Sequence, residues 1–216
     1  MNMLNNIIFP NRIFITGTDT GVGKTMISAI LMAGFEGFYW KPIQSGLDGI
    51  TDTEWIQEKT GLPGNHFFSE TYRLTLPLSP HASALHDGIR IDLDSFHMPE
   101  IPASGHLIIE GAGGVMVPLN ERDLMTDLMK ILGVPVLLVA RSSLGTVNHT
   151  LLSLEQLRRE GIEVMGVIIN GPRNQENRKA IEHYGRIKVL AEIESVMDID
   201  PLNLKMIFHE YLTGKQ

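Results

Sequence analysis

A chain of 216 residues with 18 basic and 25 acidic side chains, formal charge −7, has room for one large α/β core and offers no basic surface to nucleic acid or an anionic membrane. The absence of cysteine excludes disulfides, thiolate catalysis and Cys-ligated metal. No apolar run has the length of a membrane span, and Met1 to Pro10 lacks the basic flank and long apolar stretch of a secretory signal, so a soluble, cytoplasmic protein is expected.

In chain order, Arg12 to Thr16 reads as an apolar strand, and Gly17-Thr18-Asp19-Thr20-Gly21-Val22-Gly23-Lys24-Thr25 follows it into a helical segment, Lys24 to Ala33. Strand, glycine loop and helix in that order make a phosphate cradle. Backbone N–H groups close on the phosphates, Lys24 reaches the β/γ oxygens, and the Thr25 hydroxyl can join Mg²⁺. The usual loop has its first glycine at the position of Thr18; here Gly17 stands one residue earlier.

Gly37 to Lys41 reads as the second strand and runs into Lys41-Pro42-Ile43-Gln44-Ser45-Gly46, a cation and a hydroxyl four residues apart. A Lys here can stabilise charge in phosphoryl transfer; a solvated strand-end Lys is the plainer reading. Asp52 opens a helix over Asp52 to Lys59 and is either a metal ligand or part of a Thr51-Asp52-Thr53 cap. Gly61 to Ser104, rich in Pro, His and Ser, is the least regular stretch, either a cover over the site or a surface connection.

His106 to Glu110 reads as a strand ending in a carboxylate before Gly111-Ala112-Gly113-Gly114, so Glu110 needs a partner or a cation. A helix over Asp123 to Leu132 and a strand over Pro135 to Ala140 precede Leu144-Gly145-Thr146-Val147-Asn148-His149. That segment opens the helix Thr146 to Glu160, whose free N–H groups either hold an anion or are capped by Thr146 or Asn148. The strand Val164 to Asn170 ends in an amide that can meet a purine edge or form a turn before Gly171-Pro172. A helix over Asn174 to Tyr184, a strand over Lys188 to Ile193 and a helix over Leu202 to Tyr211 complete the pattern. Strands apolar throughout and alternating with helices predict a doubly wound, mostly parallel sheet of the P-loop NTPase fold, one domain over 1–216, with ligands beyond the C-terminal strand ends.

Taken together these clusters, with Ser79-Pro80-His81 and Gly166-Val167-Ile168-Ile169-Asn170, resemble the dethiobiotin synthetase family from Gly17 to about Ile193. The resemblance implies ATP-dependent joining of CO₂ or bicarbonate to 7,8-diaminononanoate, through a carbamate and its phosphoric anhydride. It places Gly21, Val22, Gly23, Lys24, Thr25 and Met26 on the phosphates, and Thr25, Asp52 and Glu110 around Mg²⁺. Lys41, with Lys24 and Thr20, becomes catalytic, and Ser45 joins Thr20 on the substrate. Glu110, Gly111, Ala112, Gly113, Asn170, Gly171, Glu194, Ser195 and Val196 border the nucleotide. Gly145, Thr146, Val147 and Asn148 meet the substrate carboxylate on a second subunit, implying a homodimer.

Three departures from the family pattern stand out. The span from Thr25 to Lys41 looks about a turn short, Ala191-Glu192-Ile193-Glu194 lacks the proline common near the adenine, and Gly21 stands where some relatives carry an acid. Two other readings share the fold: a partitioning-type switch ATPase, which would hydrolyse ATP without diamine, and a non-catalytic nucleotide-binding module. The eight histidines show no helical zinc spacing and read as surface or structural groups.

Overall fold

The structure is a computed structural model that describes residues 7–194, 196 and 198–213. Strand β1 (Arg12–Gly17) leads through the glycine loop to helix α1 (Lys24–Phe35), β2 (Phe38–Trp40), β3 (Ile43–Ser45) and α2 (Asp52–Thr60). The irregular stretch contributes β4 (Phe67–Phe68), β5 (Tyr72–Leu74) and α3 (Pro80–His86). Then β6 (Leu107–Gly114), α4 (Met125–Leu132), β7 (Val136–Arg141), α5 (Thr146–Arg159), β8 (Val164–Asn170), α6 (Gln175–Gly185), β9 (Val189–Ile193) and α7 (Pro201–Phe208) alternate to the end. A π-helical turn, His209–Thr213, follows α7.

Seven strands lie side by side in the order β4-β2-β6-β1-β7-β8-β9, and every pairing among them is parallel. The expected doubly wound sheet is therefore present. Because successive side chains of a strand face opposite ways, Ile13 and Ile15 of β1 enter one core layer and Phe14 the other. The first layer is closed by Ile27 to Ala33 of α1 and by Leu204 and Phe208 of α7; the second by Met125, Leu128 and Met129 of α4 with Leu154, Leu157 and Ile181. Helix α1 is buried on nearly all sides, as expected of a helix packed between sheet and helix. At Gly34 the α7 ring of Phe208 lies where a Cβ would stand, so that position accepts no side chain.

The sheet order reverses at β1, with β2 and β6 on one side and β7, β8 and β9 on the other, and the crevice at such a switch point opens beyond the C-terminal strand ends. One correction to the expected elements, and the outcome of two alternatives left open there, bear on it. Strand β6 does not stop at Glu110 but continues through Gly114, because Gly17↔Gly114 extends its pairing with β1. The irregular stretch is no simple surface connection: β5 pairs with β3 in a second two-stranded sheet and β4 adds an edge to the main one. The Asp52 helix is capped by Thr51, not Asp52: Thr51 accepts from the Glu54 N–H at 3.3 Å and gives its own N–H to the Glu54 carboxylate at 2.8 Å. That leaves the Asp52 carboxylate free to serve the site.

Candidate active site

Beyond the ends of β1, β2 and β6 lies a cavity of about 670 Å³ whose walls include Lys24, Thr25, Lys41, Ser45, Asp52 and Glu110. Thr20 and Gly21 of the glycine loop, Ala112 and Gly113 of β6, and Pro77 to Pro80 also line it. The stretch that sequence left open between cover and connection thus supplies one wall. A smaller recess of about 300 Å³ adjoins Thr25 and Asp52 and is lined by Met26, Ile50 and Trp55.

The glycine loop is built around backbone conformations that L side chains avoid. Gly23 has φ 100°, and a Cβ there would run into the Asn170 amide. That amide donates to the Val22 carbonyl at 3.0 Å, so Asn170 braces the loop from the end of β8. Lys24 donates to the Asp19 carbonyl at 3.3 Å. Burial pushes its ammonium pKa down, with the Lys41 charge adding and Glu110 and Asp52 opposing. Asp19 is itself held by the Thr20 N–H at 2.7 Å and by Arg141 at 3.0 Å.

Glu110, 1% exposed, is the centre of the charged cluster. One carboxylate oxygen accepts from Ser28 at 2.7 Å and Tyr39 at 3.0 Å; the other accepts from Lys41 at 3.1 Å and lies 3.0 Å from the Thr25 hydroxyl. The short span from Thr25 does not turn Lys41 away: its ammonium sits on Asp52 at 2.5 Å as well as on Glu110. Burial alone would lower the Lys41 pKa; the two carboxylates more than offset it, and the net direction is up. For Asp52 burial works upward, but Lys41 and Thr25 bring the pKa below its ordinary value. Burial, then the Glu110 charge, raises the Tyr39 phenol well above its usual range, so it stays a donor.

Thr25 also reaches Asp52, at 2.9 Å. A hydroxyl has one proton, yet this one meets two carboxylate oxygens within 3.0 Å. Three hard oxygens gathered this closely suit a divalent cation of the Mg²⁺ type, which takes one or two carboxylates and keeps several waters.

The expected residues named next that the structure describes do not line this cavity. Gly171 has φ 124° and donates to the Ile193 carbonyl at 2.8 Å. Glu192, within β9, is anchored by the Asn174 N–H at 3.1 Å and by Arg178 at 3.3 Å. Glu194 is exposed and paired with Arg173 at 3.4 Å; Val196 is half-buried, and Ser195 lies outside the described residues. Gly145 caps α5 with φ 93° and no side-chain hydrogen bond. Thr146 turns into the core, its hydroxyl without a partner among the described residues, while Val147 is half-buried and Asn148 exposed.

Sequence reasoning passed over Tyr39, Ser28 and Arg141, since a Tyr or Ser inside an apolar element reads as core. The histidines have structural contacts: His66 stacks on Phe38 at 4.9 Å and donates to the Gly37 carbonyl at 2.7 Å, and His106 stacks on Phe35 at 4.0 Å. His81 is exposed beside Ser79. Among the described residues no cluster of three or more His, Asp or Glu is placed to hold a metal.

Residues 11–203 match the family described as an AAA domain. An ATP-dependent dethiobiotin synthetase BioD of Paramagnetospirillum magneticum is 49% identical over 84% of this chain and 87% of its own length. One from Brucella melitensis is 43% identical over 92% of each. This chain belongs to the dethiobiotin synthetase family. A biotin biosynthesis bifunctional protein BioCD of Bordetella avium is 47% identical over 88% of this chain, which spans 41% of that longer protein. Among solved structures, a ParA family ATPase from Chlorobium tepidum covers 93% of each chain at TM-score 0.54 and 10% identity. The MinC:MinD cell division complex of Aquifex aeolicus gives TM-score 0.53 at 12% identity over 91% of this chain and 85% of its own. At such identities the likeness is one of fold, and it places this dethiobiotin synthetase-family chain on the P-loop NTPase scaffold. Among the described residues no helix is long and apolar enough to cross a membrane.

Proposed function

We propose that this chain, acting as one ATP-binding domain, is a dethiobiotin synthetase: with ATP and Mg²⁺ it joins CO₂ to 7,8-diaminononanoate and closes the ureido ring. The observation that supports this most is the shared cavity, where the phosphate-loop residues Lys24 and Thr25 face Lys41, Ser45, Asp52 and Glu110. A nucleotide switch alone gives no role to Lys41 and Ser45, which face the phosphate loop across this cavity from beyond β2.

In this reading one amine attacks CO₂ and loses a proton to give a carbamate. A carbamate oxygen attacks the γ-phosphorus, ADP leaves, and a carbamic-phosphoric anhydride results. The second amine then attacks the carbonyl carbon, loses its proton and expels phosphate. Lys41 stabilises the carbamate and the anhydride, since its ammonium is held charged at the cavity wall. Lys24 faces the transferred phosphoryl group. The buried Ser45 hydroxyl, which has no partner among the described residues, is available to orient the reacting end of the diamine, with Thr20 beside it. Thr25, Asp52 and Glu110 would hold Mg²⁺, which when bound neutralises charge on the nucleotide phosphates.

The purine belongs near Asn170 and Gly171, with Glu194 to Val196 beyond. We place the substrate carboxylate against the uncapped start of α5, Gly145 to Asn148, of a second subunit. Exposed Leu144 and Leu152 on this side and Tyr184 on α6 support a homodimer there; the net charge of −7 speaks against a nucleic-acid partner, and the lack of cysteine fits a cytoplasmic enzyme. ADP release with Mg²⁺, ATP and bicarbonate, with and without diamine, tests the reading when the product is followed by mass spectrometry. Diamine-dependent ADP with the ureido product is expected; diamine-independent hydrolysis, or none, overturns it.

A further inference from the structure

We propose that Tyr39 and Ser28 act as positioning residues that lock Glu110 into presenting a single oxygen to the metal, and that this lock makes the site prefer Mg²⁺ to Ca²⁺. The inference rests on the reading above that Thr25, Asp52 and Glu110 hold the cation. It concerns a different face of Glu110.

The four donors around this carboxylate are sorted by oxygen. Thr25 and Ser28 stand three residues apart on α1 and so share a helix face; Thr25 meets one oxygen of Glu110 and Ser28 the other. Tyr39 of β2 and Lys41 just beyond it stand two residues apart and share a strand face; Lys41 meets the first oxygen and Tyr39 the second. Each element therefore contributes one inner and one outer donor. The inner oxygen, with Thr25 and Lys41, faces the cavity, whereas the outer one is bonded by two hydroxyls whose residues are 0% exposed.

Neither outer donor has room to follow a moving carboxylate. Tyr39 is held by the register Tyr39↔Ile108 on β6 and Tyr39↔Phe67 on β4, with its ring 6.1 Å from that of Phe67. Ser28 lies inside the buried helix α1. Swinging Glu110 so that both oxygens meet a cation would strip two buried hydroxyls of their acceptor at once.

That restriction separates the two cations. Mg²⁺ takes single carboxylate oxygens in a tight octahedron, while Ca²⁺ fills a larger shell of about 6–8 oxygens and commonly draws on both oxygens of a carboxylate. A Glu110 limited to one oxygen serves the first and leaves the second short of a ligand.

The test uses the full chain with a non-hydrolysable ATP analogue and Mn²⁺, displaced in turn by Mg²⁺ and Ca²⁺ and followed by electron paramagnetic resonance. In Tyr39→Phe and in Ser28→Ala the affinity for Mg²⁺ should fall about 10-fold, the loss usual for an outer-shell ligand partner, while that for Ca²⁺ is kept. Ser28→Ala, the smaller change, carries the test if Tyr39→Phe fails to fold. Equal losses for both cations would make the two residues merely structural and overturn the inference. Absence of any protein-bound Mn²⁺ signal in the parent chain would instead overturn the metal reading itself.

Discussion

Replacing Lys41 by Met keeps the apolar stem but removes the ammonium that lies between Asp52 at 2.5 Å and Glu110 at 3.1 Å. Loss of one partner from a buried pair costs about 3–5 kcal/mol. Two features place this site near or below the low end: the Asp52 side chain is a third exposed, at 33%, and Glu110 keeps Ser28, Tyr39 and Thr25. A cost of about 2–3 kcal/mol corresponds to a fall in Tm of about 5–10 °C for a chain of this size. The same vacated charge should make the variant more responsive to metal, since Mg²⁺ no longer has to displace an ammonium from its own ligands. Thermal unfolding by circular dichroism, without nucleotide and with rising Mg²⁺, measures both effects. Turnover should fall by about 10²–10³, the loss typical of a preorganised donor to developing charge, with ATP binding largely kept. A variant as stable as the parent, with the same Mg²⁺-induced rise in Tm, would refute the placement of Lys41 on the two carboxylates; an unchanged rate would remove it from the mechanism.

Lys24→Ala should abolish phosphoryl transfer, by about 10³ or more in kcat, and normal turnover would overturn the phosphate-loop assignment. Gly23→Ala combines a φ of 100° with a Cβ directed into the Asn170 amide and should weaken ATP binding in a calorimetric titration; unchanged affinity would show that the loop yields at no cost. Thr51→Ala removes the hydroxyl half of a capping box and should cost about 1 kcal/mol in chemical denaturation; no change in midpoint would deny the cap its role. At Asp87 the Thr75 hydroxyl and N–H, then His86, hold the carboxyl down to about 2 from an ordinary 3.8. A depressed acid stabilises the fold above its unfolded value and loses that contribution as pH falls through its folded value. The urea midpoint of Asp87→Asn should therefore lie below that of the parent above pH 3.8 and converge with it as the acid range near about 2 is reached; a gap unchanged across that range would refute the contact.

The parts of the fold legible from sequence are those with enough residues to repeat a pattern. β1, β6, β7, β8 and β9 are covered on both faces and read as continuous apolar runs, and the six predicted helices appear within a few residues of their expected ends. β3, β4 and β5 have three, two and three residues, too few for any periodicity. Helix α3 did carry a signal, Ser79 followed by Pro80 at the first helical position, but the surrounding Pro and His masked it. The end of β6 differs for a physical reason: Gly-Ala-Gly-Gly favours a turn locally and does break the register, with Gly113 at φ 67°, but the pairing of Gly17 with Gly114 carries the strand past the irregularity.

The site divides along the same line. Lys24 and Thr25 announce themselves through a local loop, whereas the contacts that organise Glu110 span 85, 82, 71 and 69 residues. Nothing local marks Tyr39 or Ser28 as more than core. What the structure adds is convergence: a pair at helical spacing and a pair at strand spacing meet one carboxylate and divide its oxygens between them. Each spacing is ordinary within its own element, and only the packing of α1 against the sheet, with β2 paired beside β6, turns the two into a single device. A variant that shifts the register of β2 by one residue would turn Tyr39 and Lys41 away from Glu110 together, so the edge pairing of β2 with β4 and β6 is as much a part of the site as the phosphate loop.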